Sequence, residues 1–183
     1  MSVLVNRRDL EFLLYEFLGI EDLTRCPRYV GQDRGVYDAI LDAAETLAST
    51  RFATHAAKAD EHEPTFDGER VHLIPEVKQA LDAYVEGGFM GASFDTEVGG
   101  MQLPWTIAQC CALYFSAANV STAAYPFLTI AAANLLASIG TAEHRRKYLE
   151  PLVSGRYYGT MCLSEPQAGS SLADIRTRAV PQP

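Results

Sequence analysis

The apolar positions of this chain recur at helical spacing close to its first residues. Leu10, Leu14 and Phe17 share one face of a helix that winds at about 3.6 residues per turn. Asn6 is a residue type that caps helix starts, and Gly19 is one that ends helices. The pattern predicts a short amphipathic helix between them.

A second, longer helix is predicted after Asp33, which is a good N-cap residue. Val36, Ile40 and Leu47 form its apolar stripe, and charged residues occupy its other faces. We expect this helix to run towards Lys58.

Proline and glycine mark the elements that follow. Residues 60–70 are polar and contain Pro64, so they are predicted to form a surface connection. Pro75 suits the first position of a further helix, which Gly87 and Gly88 end.

Residues 98–142 contain no Asp, Glu, Lys or Arg. We interpret this interval as two helices buried on nearly all sides, one beginning at Pro104 and one over residues 128–139, after Pro126. A membrane-spanning helix is the alternative. Because proline and polar residues leave no run of about 20 predominantly apolar residues, no membrane span is predicted.

The character of the chain changes after Gly155. Thr141 is a good N-cap for a last helix, which has an exposed charged face and ends near Gly155. Residues 157–163 are rich in aromatic and β-favouring side chains between turn residues, and they predict a strand. The predicted fold class is mainly α, with a helical domain over residues 1–156 and the start of a sheet domain over residues 157–183.

Composition excludes some functions and disfavours others. The net charge is -8 and Lys and Arg form no cluster, which disfavours nucleic-acid binding. The first residues lack the ordered segments of a secretory signal, so a cytoplasmic protein is expected. The cysteines have neither disulfide nor zinc spacing and are expected to be buried thiols. No metal site is predicted from His55 and His62, which are expected to face solvent near acidic residues.

The most informative stretch is MCLSEPQAGS at residues 161–170, which we call the 161–170 peptide. It resembles the flavin-contacting segment of acyl-CoA dehydrogenases, whose usual form is Tyr/Met-x-x-Thr/Ser-Glu-Pro-x-Ala-Gly-Ser-Asp. Upstream landmarks of that family are similar in order and spacing, namely YVEGGF at 84–89, EVGG at 97–100, GTAE at 140–143 and LVSG at 152–155. The set looks most like the bacterial branch related to 3-(methylthio)propanoyl-CoA dehydrogenase.

The resemblance implies an N-terminal helical domain, a middle β-barrel and a C-terminal helical domain around FAD. Such enzymes oxidise an acyl-CoA thioester to its trans-2-enoyl form and pass electrons to an acceptor such as an electron-transfer flavoprotein. They are usually homo-oligomers. Because the family's catalytic base lies in the C-terminal domain, no catalytic residue is expected before residue 183, and residues 1–183 alone are predicted to be inactive. The alternative is a non-catalytic helical interaction module derived from the same family.

The resemblance also assigns site residues. It implies that the Met161 side chain lies near the flavin and that the backbone at Leu163 and Ser164 reaches the polar edge of the ring. Gly169 and Ser170 would occupy the turn that approaches the cofactor pyrophosphate, with Ser170 also near the CoA portion of the substrate.

Further positions follow from the same resemblance. Phe127 and Leu128, with Tyr125 and Ile130 nearby, fall where the family's helices line the acyl pocket. Ser171 replaces the usual aspartate and is expected to cap the next segment more weakly. Glu165 is interpreted as part of a Glu-Pro turn and not as the catalytic base.

Overall fold

The computed structural model describes residues 4–182, and it confirms a mainly α fold. A two-stranded antiparallel hairpin joins the helices, with Phe66 opposite Val71. The elements are α1 (Arg7–Glu11), α2 (Arg34–Leu47), α3 (Ala56–Glu61), β1 (Thr65–Phe66), β2 (Val71–His72), α4 (Pro75–Glu86), α5 (Trp105–Ile139), α6 (Ala142–His144) and α7 (Glu150–Val153). Wider π-helical turns extend α1 over Phe12–Phe17, α2 over Ala48–Phe52 and α6 over Arg145–Leu149.

The predicted helix starts are confirmed at three caps. The Asn6 side chain accepts a hydrogen bond from the Arg8 amide at 3.2 Å, and that of Asp33 accepts from the Val36 amide at 2.9 Å. Thr141 caps α6 in the same way. Each cap satisfies an amide that the first turn of a helix leaves without a partner.

Charged side chains dock the first helix onto the second. The Arg7 guanidinium contacts Asp42 at 2.7 Å and Asp38 at 3.4 Å, both on α2, and Glu11 on its own helix at 3.1 Å. The Tyr15 hydroxyl donates to Asp38 at 2.7 Å. Because a guanidinium presents several donors in a fixed plane, one arginine can hold three carboxylates at once.

Aromatic rings fill the centre of the bundle. Phe115 of α5 lies 4.7 Å from the ring of Tyr84, 4.9 Å from Phe52 and 5.0 Å from Phe89, measured between centroids. Tilted and edge-on pairs at these distances suit the charge distribution of aromatic rings. The cluster therefore fixes α4 and the end of α2 against the first half of α5.

The long helix α5 is broken at Asn119, whose φ of -164° and ψ of 91° are extended. If α5 were straight, Trp105 and Ile130 would lie about 37 Å apart at about 1.5 Å per residue. Both instead line one small cleft of about 30 Å³. The two halves of α5 therefore fold back and pack side by side. The sequence predicted two helices here, but it placed the second one after Pro126, and the structure continues the helix through that proline.

Buried polar groups hold the break. The Asn119 side chain, 5% exposed, accepts from the Thr122 amide at 3.2 Å and donates to the Phe52 carbonyl at 3.3 Å. It is thus the N-cap of the second half of α5 and also a tie to the end of α2. His55, only 2% exposed, adds a second tie because its ring contacts Thr122 and the Arg51 carbonyl, each at 2.9 Å. The expectation that His55 faces solvent was wrong, whereas His62 is exposed.

Among the described residues, α5 is the one helix that is long and apolar enough to cross a membrane by length and composition. Core helices of globular proteins meet the same criterion, and α5 packs against α2 and carries Phe115 of the aromatic core. Its fold-back at Asn119 shortens both straight segments.

The strand predicted over residues 157–163 is not formed. In the described chain, the backbone from 157 to 164 is irregular, and the nearest bridge joins Glu165 and Ala168 within a tight turn. A strand needs a neighbour to accept and donate its backbone hydrogen bonds, and residues 4–182 offer this segment none. The boundary between domains at residue 156 stays a prediction.

We predict that Asn119→Ala lowers the free energy of unfolding by about 2 kcal/mol, because it removes a helix cap and leaves the buried Phe52 carbonyl without its donor. Urea unfolding followed by circular dichroism measures the change. Ser138→Ala, on an exposed turn of the same helix, is the control and should change stability by less than about 0.5 kcal/mol. Equal effects of the two substitutions would contradict the role of Asn119.

Candidate functional site

An apolar groove of about 250 Å³ lies between the two halves of α5. The first half contributes Trp105, Gln109, Ala112, Phe115 and Ser116, the second half contributes Ala123, Pro126, Phe127, Ile130, Ala131 and Asn134, and α4 contributes Tyr84. The small alanine side chains leave space in the groove, and the aromatic rings border that space. The groove has the apolar lining of a small-molecule site, and its volume is slightly below the range of about 300–1,000 Å³ that is usual for such sites.

Polar groups are few in this groove. Tyr84 is buried, and its hydroxyl has no hydrogen-bond partner among the described residues. Burial raises the pKa of this phenol well above its usual range, so the hydroxyl stays protonated. None of the described residues that line the groove is acidic or basic. The groove therefore suits an uncharged hydrocarbon chain.

The 161–170 peptide lies on the surface, and its backbone is free over residues 161–164. Met161 is 57% exposed, and Leu163, Ser164, Gly169 and Ser170 are exposed as well. In the described chain, no residue pairs with the backbone N–H or C=O groups of residues 161–164. Unpaired backbone donors and acceptors side by side can bind the polar edge of a ligand.

Glu165 ties the peptide to the chain that follows it. Its carboxylate accepts hydrogen bonds from the Thr177 hydroxyl, from the Thr177 amide at 2.8 Å and from the Arg176 amide at 3.0 Å. Its own amide donates to the Ala168 carbonyl at 2.9 Å and closes a tight turn. These bonds, above all that from the Thr177 hydroxyl, lower the pKa of Glu165 to about 2. A carboxylate held this firmly in its charged form is a structural anion and a poor proton acceptor.

Ser171 does not cap the next helical turn through its side chain. Its hydroxyl donates to the Asp174 carboxylate at 2.6 Å, while its carbonyl accepts from the Asp174 amide at 3.0 Å. The weaker cap expected at this position is replaced by a bond to a neighbouring acid. An aspartate at 171 would place two carboxylates against each other here.

The segment that leads into the 161–170 peptide and the apolar groove both contact the second half of α5. Gly159, two residues before Met161, packs against the second half of α5, where its amide donates to the Thr129 hydroxyl at 3.1 Å. Phe127 and Ile130 on the same turn line the groove. The structure thus connects the predicted cofactor segment, through Gly159, to the helix that carries Phe127.

Some of the residues predicted to line the acyl pocket line the groove, and others do not. Phe127 lines the groove, and so does its neighbour Ile130, whereas Leu128 and Tyr125 are not among the lining residues. Sequence analysis missed Trp105 and Gln109, because the fold-back that brings them opposite the second half of α5 depends on one buried asparagine.

Two of the four cysteines depart from the expectation of buried thiols. Cys26 and Cys162 are exposed, Cys110 is half-buried and Cys111 is buried. Burial raises the pKa of the Cys111 thiol to about 12, which keeps it protonated.

The family model for the acyl-CoA dehydrogenase N-terminal domain matches residues 37–156. This match covers more than half of the chain, and the chain therefore belongs to the acyl-CoA dehydrogenase family.

Individual relatives agree with this assignment. The chain is 39% identical over 113 residues to 3-methylmercaptopropionyl-CoA dehydrogenase of Ruegeria pomeroyi, a match that covers 62% of this chain and 19% of the relative. It is 29% identical over 181 residues to a broad-specificity linear acyl-CoA dehydrogenase of Mycobacterium tuberculosis, covering 97% of this chain and 29% of the relative. The chain thus spans less than a third of the length of either relative.

One solved chain shares the fold. It is described as electron transferring flavoprotein of Acidaminococcus fermentans, and it aligns with a TM-score of 0.63 at 24% identity. The alignment covers 75% of this chain and 34% of that one. At this identity the likeness shows the fold alone.

The low pKa of Glu165 gives a test of the structural role of this residue. Because the folded pKa of Glu165 is depressed, its hydrogen bonds should persist as the pH falls through the usual carboxyl range near 4, and they should be lost only as the pH approaches 2. We predict that the NMR shifts of the Arg176 and Thr177 amides stay constant from pH 6 to about 3.5. Glu165→Gln should remove this pH response and expose both amides to exchange, whereas Glu143→Gln on an exposed helix face should leave them unchanged. A titration of the two amides centred near 4 would contradict the assignment.

Proposed function

We propose that this chain provides the flavin-facing and acyl-facing surfaces of an FAD-dependent acyl-CoA dehydrogenase, which removes hydrogen from the α and β carbons of an acyl-CoA thioester. One observation supports this above the others. The free backbone of residues 161–164 begins two residues after Gly159, whose amide bonds to the helix that also carries side chains of an uncharged groove. A redox cofactor and an acyl chain must meet in this way for hydride to pass between them.

The residues of the 161–170 peptide fit FAD. The backbone groups at Leu163 and Ser164, and the Ser164 hydroxyl, are free to bond the polar edge of a flavin ring. Gly169 has no structural need to be glycine, because its φ is not positive and a Cβ added there meets nothing within 4 Å. A ligand that approaches the backbone closely accounts for a glycine at such an open position. In this proposal, Gly169 and Ser170 face the cofactor pyrophosphate, and Met161 contacts the ring.

The bound flavin supplies the hydride acceptor. The chain's own residues hold the acyl group and exclude water from it. Phe127, Phe115 and Ile130 bury the hydrocarbon, and Ser170 binds the CoA portion. Holding the two reacting groups together in a dry site lowers the entropic part of the barrier.

The proton acceptor is assigned to a part of the enzyme other than this chain. Glu165 is held as a charged structural group, and no acidic residue lines the groove. We therefore propose that residues 1–183 bind ligands without turnover. We propose that the whole enzyme is a homo-oligomer and that an acceptor such as an electron-transfer flavoprotein would take up the electrons.

We predict that the chain binds FAD and alters the absorption band of FAD near 450 nm, and that Gly169→Val weakens this binding about tenfold or more by blocking backbone approach. Titration of FAD monitored by absorption and fluorescence measures the affinity. Ala57→Val, at an exposed position on α3, is the matched control and should bind as the unaltered chain does. Octanoyl-CoA with an artificial electron acceptor should give no turnover. Equal affinity in both valine variants would exclude Gly169 from the cofactor site.

A substitution that fills the groove tests whether the acyl chain binds there. Ala131→Leu adds a branched side chain to the groove wall and should weaken octanoyl-CoA binding about tenfold, because it takes space that the acyl chain needs. Ala57→Leu makes the same change at an exposed position on α3, away from the groove, and should leave binding unchanged. Isothermal titration calorimetry measures both, and FAD binding should be the same in the two variants. If both variants keep full octanoyl-CoA affinity, the acyl chain binds elsewhere.

A further inference from the structure

The contact between Thr129 and Gly159 joins the two halves of the candidate site. Thr129 is 0% exposed, and its hydroxyl accepts from the Gly159 amide at 3.1 Å while it donates to the Tyr125 carbonyl at 2.7 Å. The single hydroxyl proton and one lone pair are both used, so the orientation of the side chain is determined.

The crossing at this point requires close approach. A Cβ added at Gly159 would lie 2.8 Å from the Ala132 Cβ and 3.3 Å from the Leu128 carbonyl oxygen. Glycine on the crossing chain and alanine on the helix therefore let the two backbones touch. Between 157 and 164, the Gly159 amide is the one described backbone group that bonds to α5.

We propose that Thr129 is the positioning residue that sets the place of the 161–170 peptide relative to the apolar groove. The 161–170 peptide begins at Met161, two residues after Gly159. Phe127 and Ile130 lie close to Thr129 in the sequence of the helix. A shift of the crossing chain along α5 would move the flavin-facing backbone relative to the acyl chain. This inference rests on the proposed function and adds the residue that aligns its two ligands.

The role belongs to the hydroxyl and not to the volume of the side chain. Valine has nearly the shape of threonine but cannot accept from the Gly159 amide, so Thr129→Val leaves that half-buried donor without a partner. Serine keeps the hydroxyl and loses one methyl group. Comparing the two variants therefore separates positioning from packing.

The first experiment needs no cofactor. Cys162 is exposed and lies within the peptide, so a nitroxide can be attached there in a Cys26→Ser background, which removes the other exposed thiol. Paramagnetic broadening of the Phe127 and Ile130 amides then reports the distance from peptide to groove. We expect strong broadening in the unaltered chain and with Thr129→Ser, but at least about twofold less with Thr129→Val, along with about tenfold faster exchange of the Gly159 amide. Gly159→Ala should reduce the broadening from the opposite side of the contact.

The second experiment uses the ligands. Thr129→Val should weaken FAD binding about tenfold, while the affinity for an octanoyl thioester that lacks the CoA portion stays within about twofold, and Thr129→Ser should restore FAD binding. A general loss of stability would weaken both ligands together. Equal broadening and equal FAD affinity in the valine and serine variants would overturn the proposal. If the unaltered chain binds no FAD yet the broadening follows the expected pattern, the flavin assignment fails and the positioning of the peptide by Thr129 stands.

Discussion

The arrangement of this domain depends on the break in α5 at Asn119. One buried amide caps the second half of the helix and donates to the Phe52 carbonyl, and the His55 and Thr122 pair ties the same point to the end of α2. Buried polar groups of this kind are costly unless every partner is present, so they favour one geometry strongly. That geometry folds the helix back on itself. The groove between its halves exists because of the break.

The 161–170 peptide is held by few contacts, and this follows from its exposed backbone. In a sheet, the N–H and C=O groups of a strand bond to neighbouring strands. In residues 161–164 these groups remain free, and the segment is held at two anchors. One anchor is the Glu165 carboxylate with Arg176 and Thr177, and the other is the Gly159 amide on Thr129. Both anchors are hydrogen bonds, so the directional requirement of these bonds determines the position of the peptide as much as packing does.

Most of the helices could be predicted from the sequence because local interactions determine them. Asn6, Asp33 and Thr141 cap through neighbouring amides, and Pro75 starts α4 with no long-range partner. The position of the break in α5 could not be predicted in this way. Asn119 lies in an uncharged stretch that contains other polar residues, and the Phe52 carbonyl to which it donates is distant in sequence. The same holds for Trp105 in the groove and for Thr129, whose partner Gly159 lies on another segment. The family motif located the 161–170 peptide, and the physical pattern alone misjudged residues 157–163 as a strand.

The absence of charge along α5 has a chemical meaning as well as a structural one. An ionised carboxylate beside the described groove would need a partner or water to offset its desolvation, and either would compete with an acyl chain for the same space. An uncharged wall avoids that conflict and leaves proton removal to a group brought from another part of the enzyme. Because the proposed base lies outside this chain, the residues that line the groove need to contact only the hydrocarbon. In the proposed function, the residues of this chain align two ligands and take no part in the proton transfer, and the helix cap at Asn119, the Gly159 crossing and the buried Thr129 would hold that alignment.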